Sequence, residues 1–196
     1  IIKISVGTVD NNAYLIHPGA GPAILVDAAA EPSRLKALIG NYEVGAVITT
    51  HRHQDHTGAL ADIINMTGAQ PWCGEPDAEA IEATTGVTCS TVWDGDLFRL
   101  GDVKLDVIGL VGHTRGSIAL RLQGNPSDHV LTGDSLFPGG VGKTSGSREF
   151  ESLYTDICMK IFAPMSDTTV IHPGHGDATT VGEERPNLPL WRARGW

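Results

Sequence analysis

The six residues His51-Arg52-His53-Gln54-Asp55-His56 include four side chains able to ligate a divalent cation. Imidazole is the commonest nitrogen ligand for such ions, and carboxylate is its usual companion. Alternate residues of an extended segment face the same way, so His51 and His53 form one pair. Asp55 and His56 turn the other way where a helix begins and form a second pair. Two adjacent pairs suit two neighbouring ions. Three further candidates sit beside glycine, in Gly112-His113-Thr114, Thr132-Gly133-Asp134-Ser135 and Pro173-Gly174-His175-Gly176. Glycine lets a loop backbone approach an ion closely. Seven nitrogen and oxygen donors with no cysteine nearby predict an open, catalytic centre. A structural zinc site would instead be closed by four protein ligands, typically including thiolate.

Each candidate follows an apolar run of strand length. Val44–Ile48 leads into His51, Val103–Ile108 into His113, His129–Leu131 into Asp134, and Thr168–Ile171 into His175. Loops leaving a rigid scaffold are where functional side chains are usually presented. Ile1–Val6, Ala13–His17, Ala23–Val26, Val87–Val92, Asp96–Leu100 and Ile118–Leu122 also read as strands, with Asn11-Asn12 and Pro18-Gly19 as turns. Helical spacing covers Pro32–Ile39, Gly58–Met66, Glu75–Ala83 and Phe150–Phe162. From Glu183 onward the chain is polar, with two prolines and two tryptophans, and reads as a packed tail. Strands first, then helix and strand alternating twice over, predict an α/β protein built as a four-layer αββα sandwich.

A net charge of −9 over 196 residues argues against non-specific nucleic-acid binding, which relies on Lys and Arg against phosphates. No apolar run approaches the roughly 18 residues of a membrane span, and no leader-like segment opens the chain. Cys73, Cys89 and Cys158 form neither a paired framework nor a C-x-x-C motif, as expected in a reducing, cytoplasmic compartment. The expected partner is a small molecule, with no nucleic acid and no membrane. Lys143, Arg115 and Arg148 are cations placed to hold a substrate carboxylate, and His172 is a candidate supporting donor next to the ligands. His17 reads as a surface turn residue, His129 as partly solvated, and Trp72, Trp93, Trp191 and Trp196 as packing.

The run His51-x-His53-x-Asp55-His56, with His113, Asp134 and His175 in this order, resembles the metallo-β-lactamase superfamily. Thr49-Thr50-His51, Thr132-Gly133-Asp134-Ser135-Leu136-Phe137 and Pro173-Gly174-His175-Gly176 are similar to its glyoxalase II-like branch. The resemblance runs from the first strand to about Glu184 and implies a single metallo-β-lactamase-like domain over 1–196. It also implies that His51, His53 and His113 bind one metal, that Asp55, His56 and His175 bind a second, and that Asp134 bridges both. Asp55 and Asp134 are then the carboxylates at the chemistry. Two divalent ions so held, most simply zinc, with iron or manganese as alternatives, would bring a bridging water's pKa to about 7. The resulting hydroxide would attack an ester, thioester or amide carbonyl.

The implied activity is thus hydrolysis of a small thioester or ester, similar to that of hydroxyacylglutathione hydrolases. The alternatives are an iron-dependent persulfide dioxygenase and a lactonase or β-lactamase-type hydrolase. Short bacterial relatives often read Gly-Arg-Thr-Asp and His-Thr-Pro-Gly-Ser where this chain has Gly142-Lys143-Thr144-Ser145 and His113-Thr114-Arg115-Gly116-Ser117. The loops that touch substrate are expected to differ accordingly. The stretch after His175 is too short for the helical domain with which glyoxalase II contacts glutathione.

Overall fold

The computed structural model describes residues 1–195, so Trp196 lies outside the described residues. The first half of the chain forms one mixed sheet of six strands: β1 (Ile2–Val6), β2 (Asn11–Ile16), β3 (Ala23–Val26), β4 (Val44–Thr49), β5 (Gln70–Gly74) and β6 (Ser90–Val92). β1, β2 and β3 are antiparallel neighbours. From β3 to β6 the pairing is parallel, so each connection must cross over the sheet face. The crossovers carry α1 (Pro32–Ile39), then α2 (Gln54–Thr57) with α3 (Leu60–Thr67), then α4 (Ala78–Thr85) behind a 3-10 turn at Glu75–Asp77.

The second half repeats the plan. β7 (Leu97–Leu100), β8 (Val103–Gly109), β9 (Ile118–Leu122) and β10 (His129–Gly133) form an antiparallel run, and β11 (Leu136–Phe137) and β12 (Gly140–Val141) make a short separate hairpin. α5 (Ser147–Ile157) continues through a wider π-helical turn at Cys158–Phe162 and crosses to β13 (Val170–Pro173), which pairs parallel to β10. β14 (Thr179–Thr180), α6 (Val181–Glu184), a 3-10 turn at Arg185–Asn187 and α7 (Leu188–Arg194) follow, giving the strand order β14-β13-β10-β9-β8-β7.

Side-chain alternation sorts the residues into layers. In β2 and β3, Ala13, Leu15, Ala23 and Leu25 pack outward with Leu35 of α1 and Ile63 of α3. Their neighbours Tyr14, Ile16, Ile24 and Val26 face inward and meet Phe98, Leu105, Ile118 and Leu120 of the second sheet. On that sheet's far side, Ala119, Val130 and Ile171 pack with Phe150, Leu153 and Ile157 of α5 and Trp191 of α7. Helix, sheet, sheet and helix are therefore stacked as expected. Strands buried on both faces are apolar throughout, which is why they read as continuous runs. Each fully buried Leu or Ile contributes about 1.5–3 kcal/mol relative to exposure.

Two local readings differ from expectation, and two elements add to it. Asn11 and Asn12 open β2 and are buried, because distant partners take up their NH2 groups: Asp55 Oδ2 for Asn11, and the Pro173 and Gly176 carbonyls for Asn12. The helix expected at Gly58–Met66 starts two residues later, at Leu60, and a separate short helix, α2, precedes Gly58; between them Ala59 N–H donates to Ala28 O at 2.9 Å. β5 was hidden by Pro71, which has no N–H for a ladder. Pro71 pairs with Val47 of β4, whereas β6 begins opposite Trp72. The tail packs as expected, through the buried Trp191, and is helical; α6 opens with a capping box in which Thr180 and Glu183 satisfy each other's backbone N–H.

Candidate metal centre

All the candidate ligands lie on one rim of the sandwich, past the C-terminal ends of β4, β8, β10 and β13. Backbone bonds tie the two sheets together there: Ile118 N–H donates to Thr50 O at 2.9 Å, and Asn12 N–H to Gly174 O at 2.7 Å. Asn12 Nδ2 and Tyr14 Oη also donate to Pro173 O, at 3.0 and 2.6 Å. This clamp holds the His175 loop of the second sheet against the first.

The side chains converge in two trios. His53 Nδ1 lies 3.1 Å from His51 Nε2 and 3.0 Å from His113 Nε2. His175 Nε2 lies 3.2 Å from His56 Nε2 and 3.4 Å from Asp55 Oδ2. Within each trio the ligand atoms all lie within 4.8 Å of one another. Asp134 stands between them, with Oδ1 3.2 Å from His56 Nε2 and Oδ2 3.3 Å from His175 Nε2 and 3.7 Å from His113 Nε2. All seven expected residues are thus brought together. Gly174 is the residue that permits this: a Cβ there would overlap Asp134 Oδ1 and stand 2.8 Å from His56 Cε1.

The outward nitrogens determine where the imidazole protons sit. Thr50 Oγ1 donates to Asp27 Oδ2 at 2.8 Å, so it accepts from His51 Nδ1 at 3.1 Å. His56 Nδ1 donates to the same Asp27 oxygen at 2.9 Å. His113 Nδ1 donates to Lys143 O at 2.7 Å, and His175 Nδ1 to Val9 O at 2.8 Å. In their neutral forms these four rings therefore carry the proton on Nδ1 and turn an Nε2 lone pair inward. Lone pairs about 3 Å apart, beside carboxylate oxygens, repel unless positive charge lies among them. With these rings neutral, buried Asp134 Oδ1 has no hydrogen-bond donor among the described residues, which is the orphan expected of a metal ligand. The donor set fits two hard or borderline divalent cations.

The titration of the site divides the rings. Burial, reinforced by neighbouring imidazoles, pushes His51 and His53 down, which leaves them neutral donors at pH 7. Burial also opposes charge on His56, but the Asp27 and Asp134 carboxylates outweigh it and raise the ring to about 10. A hydrogen bond to Asp134 raises His175. Burial would raise Asp134, yet His175 and His56 hold it well below the usual carboxylate range. Protons and cations compete for the same inward lone pairs.

Several supporting residues were not anticipated. Asp27 is buried, adopts a left-handed φ of 58°, and accepts from Thr50 N–H at 2.7 Å as well as from Thr50 Oγ1 and His56. An acid directly after a buried strand is the signal that picked out Asp134, and it applies equally to Val26-Asp27. Asp77, fully buried, accepts from Arg52 N–H at 3.0 Å, Thr114 Oγ1 at 2.6 Å and Gly116 N–H at 3.0 Å. It joins the loop of His51 and His53 to that of His113. Asn11 Nδ2 donates to Asp55 Oδ2 at 2.9 Å.

Other candidates take different places. His172 pairs with His129 at 2.9 Å, not with a ligand, and burial pushes it down to about 4. Lys143 touches the centre through its backbone oxygen while its side chain is exposed, and Arg115 lines a cleft beside His113. His17 stacks on Tyr42 at 4.6 Å. The three cysteines are free, and no described helix is long and apolar enough to cross a membrane.

The sequence profile of the metallo-beta-lactamase superfamily matches residues 6–181. Hydroxyacylglutathione hydrolase GloC of Haemophilus influenzae is 27% identical over 97% of this chain and 97% of its own. Among solved structures, TTHA1623 in a di-iron-bound form superposes with a TM-score of 0.80 at 26% identity, covering 97% of this chain and 100% of that one. The BLEG-1 B3 metallo-beta-lactamase gives a TM-score of 0.83 at 22% identity, over 97% and 98%, a likeness of fold.

Proposed function

Because the chain belongs to the metallo-beta-lactamase superfamily, we propose that it is a metal-dependent hydrolase of a small thioester or related acyl compound. The observation that carries this reading is the pair of trios flanking Asp134, with imidazole lone pairs turned inward and held there by protons on Nδ1. His51, His53 and His113 would hold one cation, Asp55, His56 and His175 the other, and Asp134 would touch both. Such a pair polarises an acyl carbonyl and makes hydroxide available near neutral pH, about 7.

The protein's own part is orientation. Asp27 holds His51 through Thr50 and His56 directly, so one buried carboxylate sets the proton position on a ring of each trio. Asn11 fixes Asp55 by donating from Nδ2 to Oδ2 at 2.9 Å, and the Asp55 side chain keeps 40% of its exposure at the open side of the rim. In the net reaction water adds its oxygen to the acyl carbon, the carbon–sulfur bond breaks, and the thiol departs with a proton.

GloC bears the name of a hydroxyacylglutathione hydrolase along nearly its whole length, which supports the thioester choice. An iron-dependent oxygenation using two histidines and one aspartate would leave the trio of Asp55, His56 and His175 without a task. The test is metal quantification on the purified protein followed by a thioester panel that includes S-lactoylglutathione. Two equivalents of metal with thioester cleavage are expected. Less than about half an equivalent would sink the metal reading, and cleavage of lactones alone would sink the thioester choice.

A further inference from the structure

Beside His113 a cleft of about 490 Å³ carries three guanidinium groups from three chain segments. Arg52 comes from between the ligands His51 and His53, Arg115 follows His113, and Arg148 lies in the first turn of α5. The chain has only 14 Lys and Arg against 23 Asp and Glu, so chance would favour acids on any wall. Here Glu149 is the one acid among the lining residues. Of the six arginines elsewhere, Arg34, Arg121, Arg185 and Arg192 pair with Glu31, Asp128, Asp167 and Glu151, Arg194 donates to Gly139 O, and Arg99 alone, on the edge strand β7, has no partner among the described residues.

Arg115 and Arg148 have no ion-pair or hydrogen-bond partner among the described residues. Arg52 has only Asp77, at 3.9 Å, and that carboxylate is already engaged by Arg52 N–H, Thr114 and Gly116. Two unpaired guanidiniums and a third held only at 3.9 Å leave positive charge along this wall, which an oxyanion would neutralise. Their planar forks suit two-point contact with carboxylate or phosphate.

Resting on the thioester reading above, we infer that this cleft binds an oxyanion, carboxylate or phosphate, carried on the remote part of the substrate. His113 is both a wall of the cleft and a ligand of the centre, so an anion docked there positions the acyl carbonyl over the metals. Binding energy from a non-reacting group is then spent on orientation at the reacting one. The enzyme is therefore selective for anionic over neutral acyl thioesters, and the selectivity resides in Arg115 and Arg148, with Arg52 assisting.

The test compares three thioesters of one acyl group with the metal-loaded protein: on N-acetylcysteamine, which is neutral, on glutathione, which carries carboxylates, and on coenzyme A, which carries phosphates. At least one anionic thioester should exceed the neutral one in kcat/KM by about tenfold or more. The double variant Arg115→Gln/Arg148→Gln should lose most of that ratio, while Lys104→Gln, a distant exposed cation, should keep it. Which anionic thioester leads identifies carboxylate or phosphate as the ligand. Equal turnover of charged and neutral thioesters, or a ratio unchanged in the double variant, overturns the inference and leaves the hydrolase reading intact. S-methylglutathione and S-methyl coenzyme A, titrated calorimetrically, separate the two readings. If no thioester is cleaved yet one analogue binds and the double variant loses it, the thioester reading fails and the anion cleft stands. If neither analogue binds the wild-type protein, the cleft is overturned.

Discussion

Asp27→Asn tests how the proton positions are set. The substitution keeps shape and volume but replaces one carboxylate oxygen with an NH2 group. Oδ1 accepts from Thr50 N–H at 2.7 Å, so the amide oxygen stays on that side and the NH2 faces Thr50 Oγ1 and His56 Nδ1. The NH2 must donate, so Thr50 Oγ1 becomes free to donate to His51 Nδ1, and His56 Nδ1 must become an acceptor. Both rings then carry their proton on Nε2, where the lone pairs were needed. A hydrogen bond to a charged group is worth about 1.5–3 kcal/mol. Restoring the ligating tautomer on two rings therefore costs about 3–6 kcal/mol, shared between the trios. That corresponds to a combined loss of about 10²–10⁴ in metal affinity. The assay is competition with a chromophoric chelator at fixed pH, with circular dichroism confirming that the variant is folded. Retention of two equivalents with affinity within about threefold of wild type would refute the reasoning, since supporting groups of this kind ordinarily matter by about 10–100-fold.

Four further outcomes follow from the same geometry. Gly174→Ala should lower metal stoichiometry and cut kcat/KM by about 100-fold or more, because the new methyl group overlaps Asp134 Oδ1 and crowds His56; metal analysis and steady-state kinetics check this. Asp77→Ala strands donors on Arg52, Thr114 and Gly116, at about 1–3 kcal/mol for each buried group left unpaired. Thermal unfolding should fall by about 2–4 °C per kcal/mol lost, and an unchanged midpoint would refute the clamp. Metal affinity should rise with pH between 6 and 8 by about one log unit per pH unit or more, because cation binding displaces the proton on His56, raised to about 10, and that on the raised His175. In the metal-free protein His56 works in the opposite sense. Its stabilising contribution is complete below its ordinary 6.5 and is lost as pH climbs through about 10, so chelated and loaded proteins should diverge in stability as pH rises. A pH-independent affinity would contradict the proton assignments.

The layered fold and the seven converging residues were legible because their signals are local. Strands buried on both faces leave unbroken apolar runs, and the ligands follow those runs directly. What escaped notice depends on contacts made far away in sequence. Asn11 and Asn12 have turn-forming side chains, but Pro173, Gly174 and Asp55 offer them better partners than a turn would. Asp77 acts through backbone N–H groups on two other loops, which no spacing rule reaches. Pro71 has no N–H to offer a ladder, and the strand around it exists because β4 supplies the pairing on one side. His172 alternates with the ligand loop yet meets His129 on the neighbouring strand, a register fact absent from local pattern.

The central claim is that two cations sit side by side, one in each trio, with Asp134 in contact with both. Anomalous scattering from crystals of the metal-loaded protein, collected at the metal edge, measures this directly. Two peaks about 3.5–4 Å apart are predicted, one beside His51, His53 and His113 and the other beside Asp55, His56 and His175, with the Asp134 carboxylate between them. A single peak, or peaks bound by residues outside these trios, would contradict the account.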